Sequence, residues 1–241
     1  MAVEKEEGVN PMPEKKAVIL LSGGLDSTTL LAIAAKDGYE LYAVTFLYGQ
    51  RHSVEIESAK KAAAMFKVKK HSIIELPIDK IVLSSLTGSG EIPMDRTEAD
   101  IKSGVPSTYV PARNTVFLSL ALAIAENIDA EAIFIGVNAL DYSGYPDCRP
   151  SFIDAFQRLA DVATRRTACG DGKIEIKAPL IDMKKSEIIR KGIELGVDYS
   201  VTHSCYSPDE EGRSCGRCDS CVLRKKAFTE LGMVDPVTYV K

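Results

Sequence analysis

Residues 22–27 read Ser-Gly-Gly-Leu-Asp-Ser and follow a short apolar run, AVILL, at 17–21. Paired glycines let a backbone approach an anion closely, and the unpaired N–H groups that open a helix hold negative charge at the favourable end of its dipole. The hydroxyls of Ser22, Ser27 and Thr28 add donors, so the stretch is composed as a phosphate-binding turn. It lacks the lysine with which a GxxxxGK[ST] loop reaches the outer phosphates. Asp26 stands on that ground instead. A carboxylate beside phosphates needs a Mg²⁺ between them or must turn away as a helix cap, which leaves Asp26 with two readings, metal partner or structural cap.

A second group with chemistry in its spacing is Cys205, Cys215, Cys218 and Cys221, a C-x9-C-x2-C-x2-C pattern that takes four of the six cysteines of the chain. Thiolates at this spacing can grip one tetrahedral Zn²⁺ about 2.3 Å from each sulfur, and four of them leave no open position, so the metal is assigned to folding rather than catalysis. Arg213, Arg217 and Arg224 are placed to offset the charge of four thiolates around one zinc. An iron–sulfur cluster, a redox dithiol at Cys218 and Cys221, and a nucleic-acid-binding zinc module are the competing readings. His203 could reach the metal in place of a cysteine, and with four cysteines available its expected contact is with their surroundings or with solvent. Cys148 and Cys169 read as ordinary thiols, with a catalytic role for Cys148 held open because of the loop in which it lies.

The elements that must position these groups follow from the apolar pattern. Short apolar runs at 17–21, 41–48, 71–76, 132–137 and 174–180 alternate with segments of helical period at 26–36, 54–66, 114–127, 151–164 and 184–195. Strands separated by helices of this length build βαβ units, so the fold class is α/β, a doubly wound parallel sheet with helices on both faces. Gly38 and Gly196 stand where helix C-caps are expected. Two stretches break the rhythm: 79–112, of a length that marks a functional lid or a disordered connection, and 138–150, which follows a strand and so faces the ligand crevice of an open sheet.

Composition bounds the rest. A chain of 241 residues with 45% hydrophobic residues can bury a full core, and its division is expected as a solvated tail (1–15), an α/β nucleotide-binding domain (16–200) and a C-terminal zinc-binding module with a helix (201–241). A net charge of −4 gives no general attraction to nucleic acid. No run approaches the roughly 18 apolar residues of a membrane span, and no signal-peptide pattern opens the chain, so a cytoplasmic location is expected.

SGGLDS after a buried strand resembles the pyrophosphate loop of the ATP pyrophosphatases, the PP-loop family of adenylating enzymes. Together with the cysteine cluster, the stretches FLYGQRH (46–52), YVPARN (109–114), GVNALDYSGYPDCRPSFI (136–153) and APLIDMKKSEI (178–188) resemble its 7-cyano-7-deazaguanine synthase branch over residues 17–241. The resemblance implies ATP-dependent conversion of 7-carboxy-7-deazaguanine and ammonia to the nitrile by two adenylations through an amide, with Mg²⁺ accompanying ATP and a homodimer as the assembly. It implies that Ser22, Gly23, Gly24, Leu25, Asp26, Ser27, Thr28, Thr29 and Asn114 hold the nucleotide, with Asp26, Ser27 and Arg113 carrying the transfer. Arg113 would stabilise phosphate charge, its bland alternative being a surface or capping ion pair. Tyr48, Gln50, Arg51, His52, Asp141, Tyr142, Tyr145, Asp147 and Arg149 would contact the deazaguanine, although His52 fits a structural histidine equally well. Another adenylating enzyme, such as a tRNA-thiolating one, and a non-catalytic nucleotide sensor are the alternatives; the acidic charge weighs against the first.

Overall fold

A computed structural model describes residues 15–50, 54–88, 90–101, 104–140 and 144–240. It opens with β1 (Lys16–Leu20), α1 (Leu25–Lys36), β2 (Glu40–Leu47), α2 (Val54–Met65) and β3 (Lys70–Glu75). After a short helix α3 (Glu98–Ile101) come α4 (Arg113–Asn127), β4 (Ala132–Phe134), α5 (Pro150–Ala163) and the single turn α6 (Arg165–Ala168). β5 (Glu175–Lys177), α7 (Lys185–Glu194) and α8 (Asp219–Glu230) complete the chain. All strand pairs are parallel, in the order β3-β2-β1-β4-β5. The order reverses between β1 and β4, which is where an open α/β sheet leaves its ligand crevice.

Alternation along β1 divides the core. Val18 faces one side with Val44 and Ile133, against Leu118, Ala121 and Leu122 of α4 and Phe156 of α5. Ala17 and Ile19 face the other with Ala43, Ala132 and Phe134, against Leu30 and Leu31 of α1, Ile188 and Ile189 of α7, and Phe228 of α8. Both faces of the sheet are therefore dry, which is what near-continuous apolar runs require. Leu30 and Leu31 have no exposed surface, and each such burial contributes about 2 kcal/mol. Because Ala227 and Phe228 share the α1–α7 core, the cysteine-bearing C-terminal segment is built onto the sheet domain rather than hung from it.

The helix ends follow the glycines. Gly38 (φ 81°) and Gly196 (φ 80°) each lie one residue beyond the C-cap of α1 and α7, in the left-handed region that closes a helix. β4 and β5 are shorter than their apolar runs: Ile135 N still donates to the Lys177 carbonyl, after which Gly136 carries the chain toward the crevice. Gly192 in α7 makes room for a different reason. A Cβ there would lie 1.9 Å from the Tyr199 hydroxyl, which hydrogen-bonds Thr29 Oγ1 at 2.7 Å and donates to the Ile188 carbonyl at 3.2 Å. That notch seats α7 against α1.

Candidate active site

The crevice at the strand-order reversal is a cavity of about 240 Å³, sized for a small molecule. Its wall takes Ser22, Gly24, Leu25, Asp26 and Ser27 from the glycine loop, Tyr48 and Gln50 from the end of β2, Glu55 from α2, and Arg113 and Asn114 from α4. Gly136 to Asn138 after β4, Tyr145, Cys148, Lys185 and His203 to Tyr206 close it.

The loop is shaped by packing. Gly23 has φ 84°, and a Cβ on it would stand 2.4 Å from the Glu55 carbonyl oxygen and 2.5 Å from Ala59 N, so only glycine fits between the loop and α2. Ser27 Oγ accepts from Ser22 N at 3.2 Å and lies 3.0 Å from Ser22 Oγ, closing the turn on itself. Gly24 is the N-cap of α1 with no side chain capping it, so the dipole end of the helix is presented to the cavity. Leu25 N donates to Ser204 Oγ at 3.3 Å. Thr28 and Thr29, expected to add to the anion site, turn inward instead: their hydroxyls donate to the carbonyls of Gly24 and Leu25, both at 2.9 Å. α1 is buried on nearly every side here, and a buried hydroxyl satisfies itself on the carbonyl four residues back, Thr29 sharing in addition the Tyr199 hydroxyl.

Asp26 is not a helix cap. Its two carboxylate oxygens accept from Lys185 Nζ at 2.9 and 2.8 Å. Lys185, at the start of α7 and only 8% exposed, is a cation the loop motif does not contain and the chain supplies from 159 residues away. The residue lay inside the APLIDMKKSEI stretch, and its register facing α1 was the signal that could have found it.

Arg113 opens α4 after Ala112, which takes a left-handed φ of 54°. Its guanidinium lies over the Tyr48 ring (5.8 Å) and the Phe117 ring (6.0 Å), a cation–π seat in the cavity wall rather than a surface ion pair. Burial strips it of water, yet the field of Tyr48, Cys148 and Asp147 holds its pKa above the ordinary arginine value, so its charge is permanent. Glu55, half-buried beside it, has its carboxyl pushed up to about 7 by desolvation, which the nearby Arg113 charge only partly offsets. The sequence reading overlooked Glu55; an acidic residue in the first turn of a surface helix carries no mark of being in a cavity.

Of the residues expected to read the deazaguanine ring, Tyr48, Gln50 and Tyr145 line the cavity. Gln50 is occupied in holding the strand end: its Oε1 accepts from Tyr48 N at 2.7 Å and its Nε2 donates to the Phe46 carbonyl at 3.2 Å. The Tyr145 hydroxyl is 2.5 Å from Thr108 Oγ1, tying the long 79–112 segment to the cavity. Asp147 is buried behind the wall, where Oδ2 accepts from Asn114 N at 3.0 Å and caps α4 from outside it; Oδ1 is buried without a partner among the described residues. Asn114 Nδ2 donates back to the Asp147 carbonyl at 2.9 Å. Arg149 is exposed, at the N-cap of α5, and is not among the lining residues. Arg51, His52, Asp141 and Tyr142 lie outside the described residues. The Cys148 thiol is in the wall, but burial and the neighbouring Asp147 push its pKa up to about 12, so it is a neutral, poorly nucleophilic thiol.

Next to the cavity, the sulfurs of Cys205, Cys215, Cys218 and Cys221 lie within 4.8 Å of one another. The tetrahedral fit can be tested on the sulfurs themselves. Cys215 and Cys221 are 4.0 Å apart, close to the roughly 3.8 Å edge of a tetrahedron with 2.3 Å metal–sulfur bonds. Backbone N–H groups of Tyr206, Ser207, Cys215, Arg217 and Cys218 point at the sulfurs, which suits thiolates. The cluster can therefore hold a metal. The arginines expected to offset its charge each have a carboxylate of their own: Arg213 pairs with Asp209, Arg217 with Asp95 and Arg224 with Asp235. Backbone dipoles at the sulfurs do that work locally. Arg224, 3% exposed, also donates to Thr202 Oγ1 (2.8 Å) and Ser204 Oγ (3.5 Å), so the helix that begins at the cysteine cluster fixes the serine that bonds the glycine loop.

A doubly wound sheet with an uncapped helix, a glycine loop and two buried cations at its switch point defines a nucleotide-binding α/β enzyme. The chain belongs to the QueC family, described as queuosine biosynthesis protein QueC, whose pattern it matches over residues 16–232. It is 56% identical over 227 residues to the 7-cyano-7-deazaguanine synthase of Syntrophobacter fumaroxidans, covering 94% of this chain and 97% of that one. To the 7-cyano-7-deazaguanine synthase of Myxococcus xanthus it is 52% identical, covering 94% and 98%. A solved structure of NMN synthetase from Francisella tularensis aligns with 92% of this chain and 79% of that one, at a TM-score of 0.47 and 17% identity. No helix among the described residues is long and apolar enough to cross a membrane.

Proposed function

We propose that the chain makes 7-cyano-7-deazaguanine, the product in the names of its relatives, from 7-carboxy-7-deazaguanine and ammonia, using two molecules of ATP through an amide intermediate. The observation that carries this reading is the glycine loop at the switch point. It offers an uncapped helix end and no lysine of its own, an arrangement suited to retaining pyrophosphate while the α-phosphorus is attacked.

In this reading Ser22, Gly23, Gly24, Leu25, Asp26 and Ser27 surround the leaving pyrophosphate. Arg113, permanently charged and seated on Tyr48, stabilises phosphate charge as the substrate oxygen attacks. Lys185 holds Asp26 and lines the same cavity, where its ammonium would face the same anion. Mg²⁺ bound with ATP would neutralise phosphate oxygens, and Asp26, the loop's carboxylate, would hold it by giving up its pairing with Lys185. Tyr48 and Tyr145 offer ring faces to the deazaguanine. Zn²⁺ is the ion whose tetrahedral chemistry suits four thiolates, and it would serve to order the segment 202–224 that buttresses the loop. The partners are small molecules, the expected assembly is a homodimer, and the expected location is the cytoplasm.

Incubation with Mg·ATP, ammonium and 7-carboxy-7-deazaguanine, followed by mass spectrometry, tests this directly. The nitrile should form together with AMP and pyrophosphate. Appearance of ADP and phosphate would overturn adenylyl transfer, and ATP binding without turnover would favour a sensor.

A further inference from the structure

Glu55 is given no role by the loop chemistry, yet it shares the cavity with the loop, Tyr48 and Arg113. Its own backbone carbonyl oxygen packs against Gly23, so the backbone of residue 55 is placed directly beside the loop that would retain pyrophosphate. Nitrile formation makes an unusual demand there: nitrogen enters bearing hydrogens and leaves bearing none. Every proton shed between ammonia and nitrile needs an acceptor.

Among the described residues few groups in the wall can serve. Asp26 is engaged on both oxygens by Lys185, and Asp147 is turned away to cap α4. The phenols of Tyr48 and Tyr145 are held protonated by burial, and so is the Cys148 thiol. That leaves Glu55 and His203, and His203 sits two residues from the metal ligand Cys205 on the segment packed over Gly24.

We propose that Glu55 is the proton acceptor for ammonia capture, an inference that rests on the adenylation reading of this site. As the ammonia nitrogen forms its bond to the acyl carbon, one N–H proton passes to the Glu55 carboxylate. The C–O bond to AMP then breaks, its electron pair leaving with the phosphate oxygen. The amide and AMP remain, and Glu55 returns its proton to solvent. A carboxyl that titrates near neutrality is suited to both halves of that cycle, and Arg113 keeps its ionised form available.

Two half-reactions measured on Glu55→Gln test this. Pyrophosphate exchange into ATP, dependent on 7-carboxy-7-deazaguanine, reports adenylation and an intact fold, and it should be unchanged. Amide formation from ammonium should fall by about 100-fold or more, the usual effect of removing a general base. Hydroxylamine, whose adduct loses its proton far more readily, should still trap the acyl adenylate, and with free ammonia held constant across pH the fall in turnover below about pH 7 should vanish from the variant's profile. Unchanged ammonium capture, exchange lost in step with capture, or an acid limb that persists in Glu55→Gln and disappears in His203→Gln would each overturn the proposal. Absence of exchange in the unsubstituted enzyme would overturn the adenylation reading itself, a result separable from any of these.

Discussion

Lys185 and Asp26 show how much chemistry can depend on one pair. Their side chains are 9% and 19% exposed, and removing one partner of a buried pair leaves a charge without compensation. Lys185→Met is expected to cost about 2 kcal/mol, lowering the melting temperature by about 4–8 °C in a chain of this size, and to weaken pyrophosphate retention; calorimetry and pyrophosphate exchange would check the two effects. Asp26→Asn should abolish adenylation while the far-ultraviolet circular dichroism stays native, and normal activity would remove Asp26 from the mechanism. Cys148 makes a simpler case. With its thiol neutral up to about pH 12, iodoacetamide at pH 8 should label the exposed Cys169 and spare Cys148, as peptide mass mapping would read out. At this scale the sequence was legible where neighbours in the chain are neighbours in space: Ser22 and Ser27 meet within one turn. It was illegible where the partner comes from elsewhere. Nothing near Asp26 announces Lys185, nothing near Asp147 announces the amide of Asn114 that it caps, and the Thr28 and Thr29 hydroxyls are turned inward by burial that only the folded α1 creates.

Among elements, the alternation of apolar runs and helical segments was enough to place five strands and the helices between them, because the central strands β1, β2 and β4 are largely dry on both faces. The strand order, and with it the crevice, follows from which edges each crossover reaches, and the strands alone do not state it. The segment 79–112 was equally opaque, since its anchors are distant in sequence. Asp95 N donates to the Arg217 carbonyl at 2.9 Å, the Arg96 guanidinium binds Asp219, and Met94 forms a β-bridge with Cys218. These contacts end on residues that flank the cysteine cluster. With the zinc proposed above bound at the cluster, its removal by a chelator should therefore speed amide hydrogen exchange in two places, the cysteine segment and residues 94–97, while β1 and β2 stay protected. Uniform loosening or no change at 94–97 would show that the segment holds itself. Gly23→Ala presses on α2 through the loop, with a left-handed φ and two backbone atoms in the way, and should abolish pyrophosphate exchange.

For the whole molecule, the raised carboxyl of Glu55 leaves a thermodynamic trace. The folded chain holds this proton up to about pH 7, whereas the unfolded chain releases it near 4.5, so between those values the native state binds more protons. Its contribution therefore lowers stability as pH rises through that window. Replacing Glu55 with Gln should flatten the decline in melting temperature between pH 5 and about 8, the difference between the two chains being the test. The notch at Gly192 also reaches across the molecule. It lies about two helical turns, on the order of 10 Å, from Lys185 on the same helix, and the Tyr199 hydroxyl fills the space a side chain would take. A methyl group there would lever α7 off α1 and swing its far end, carrying the ammonium of Lys185 away from Asp26. A search for inactivating substitutions that looked only near the phosphate loop would miss it, and a random one would find a glycine with no functional group among the positions that silence the enzyme.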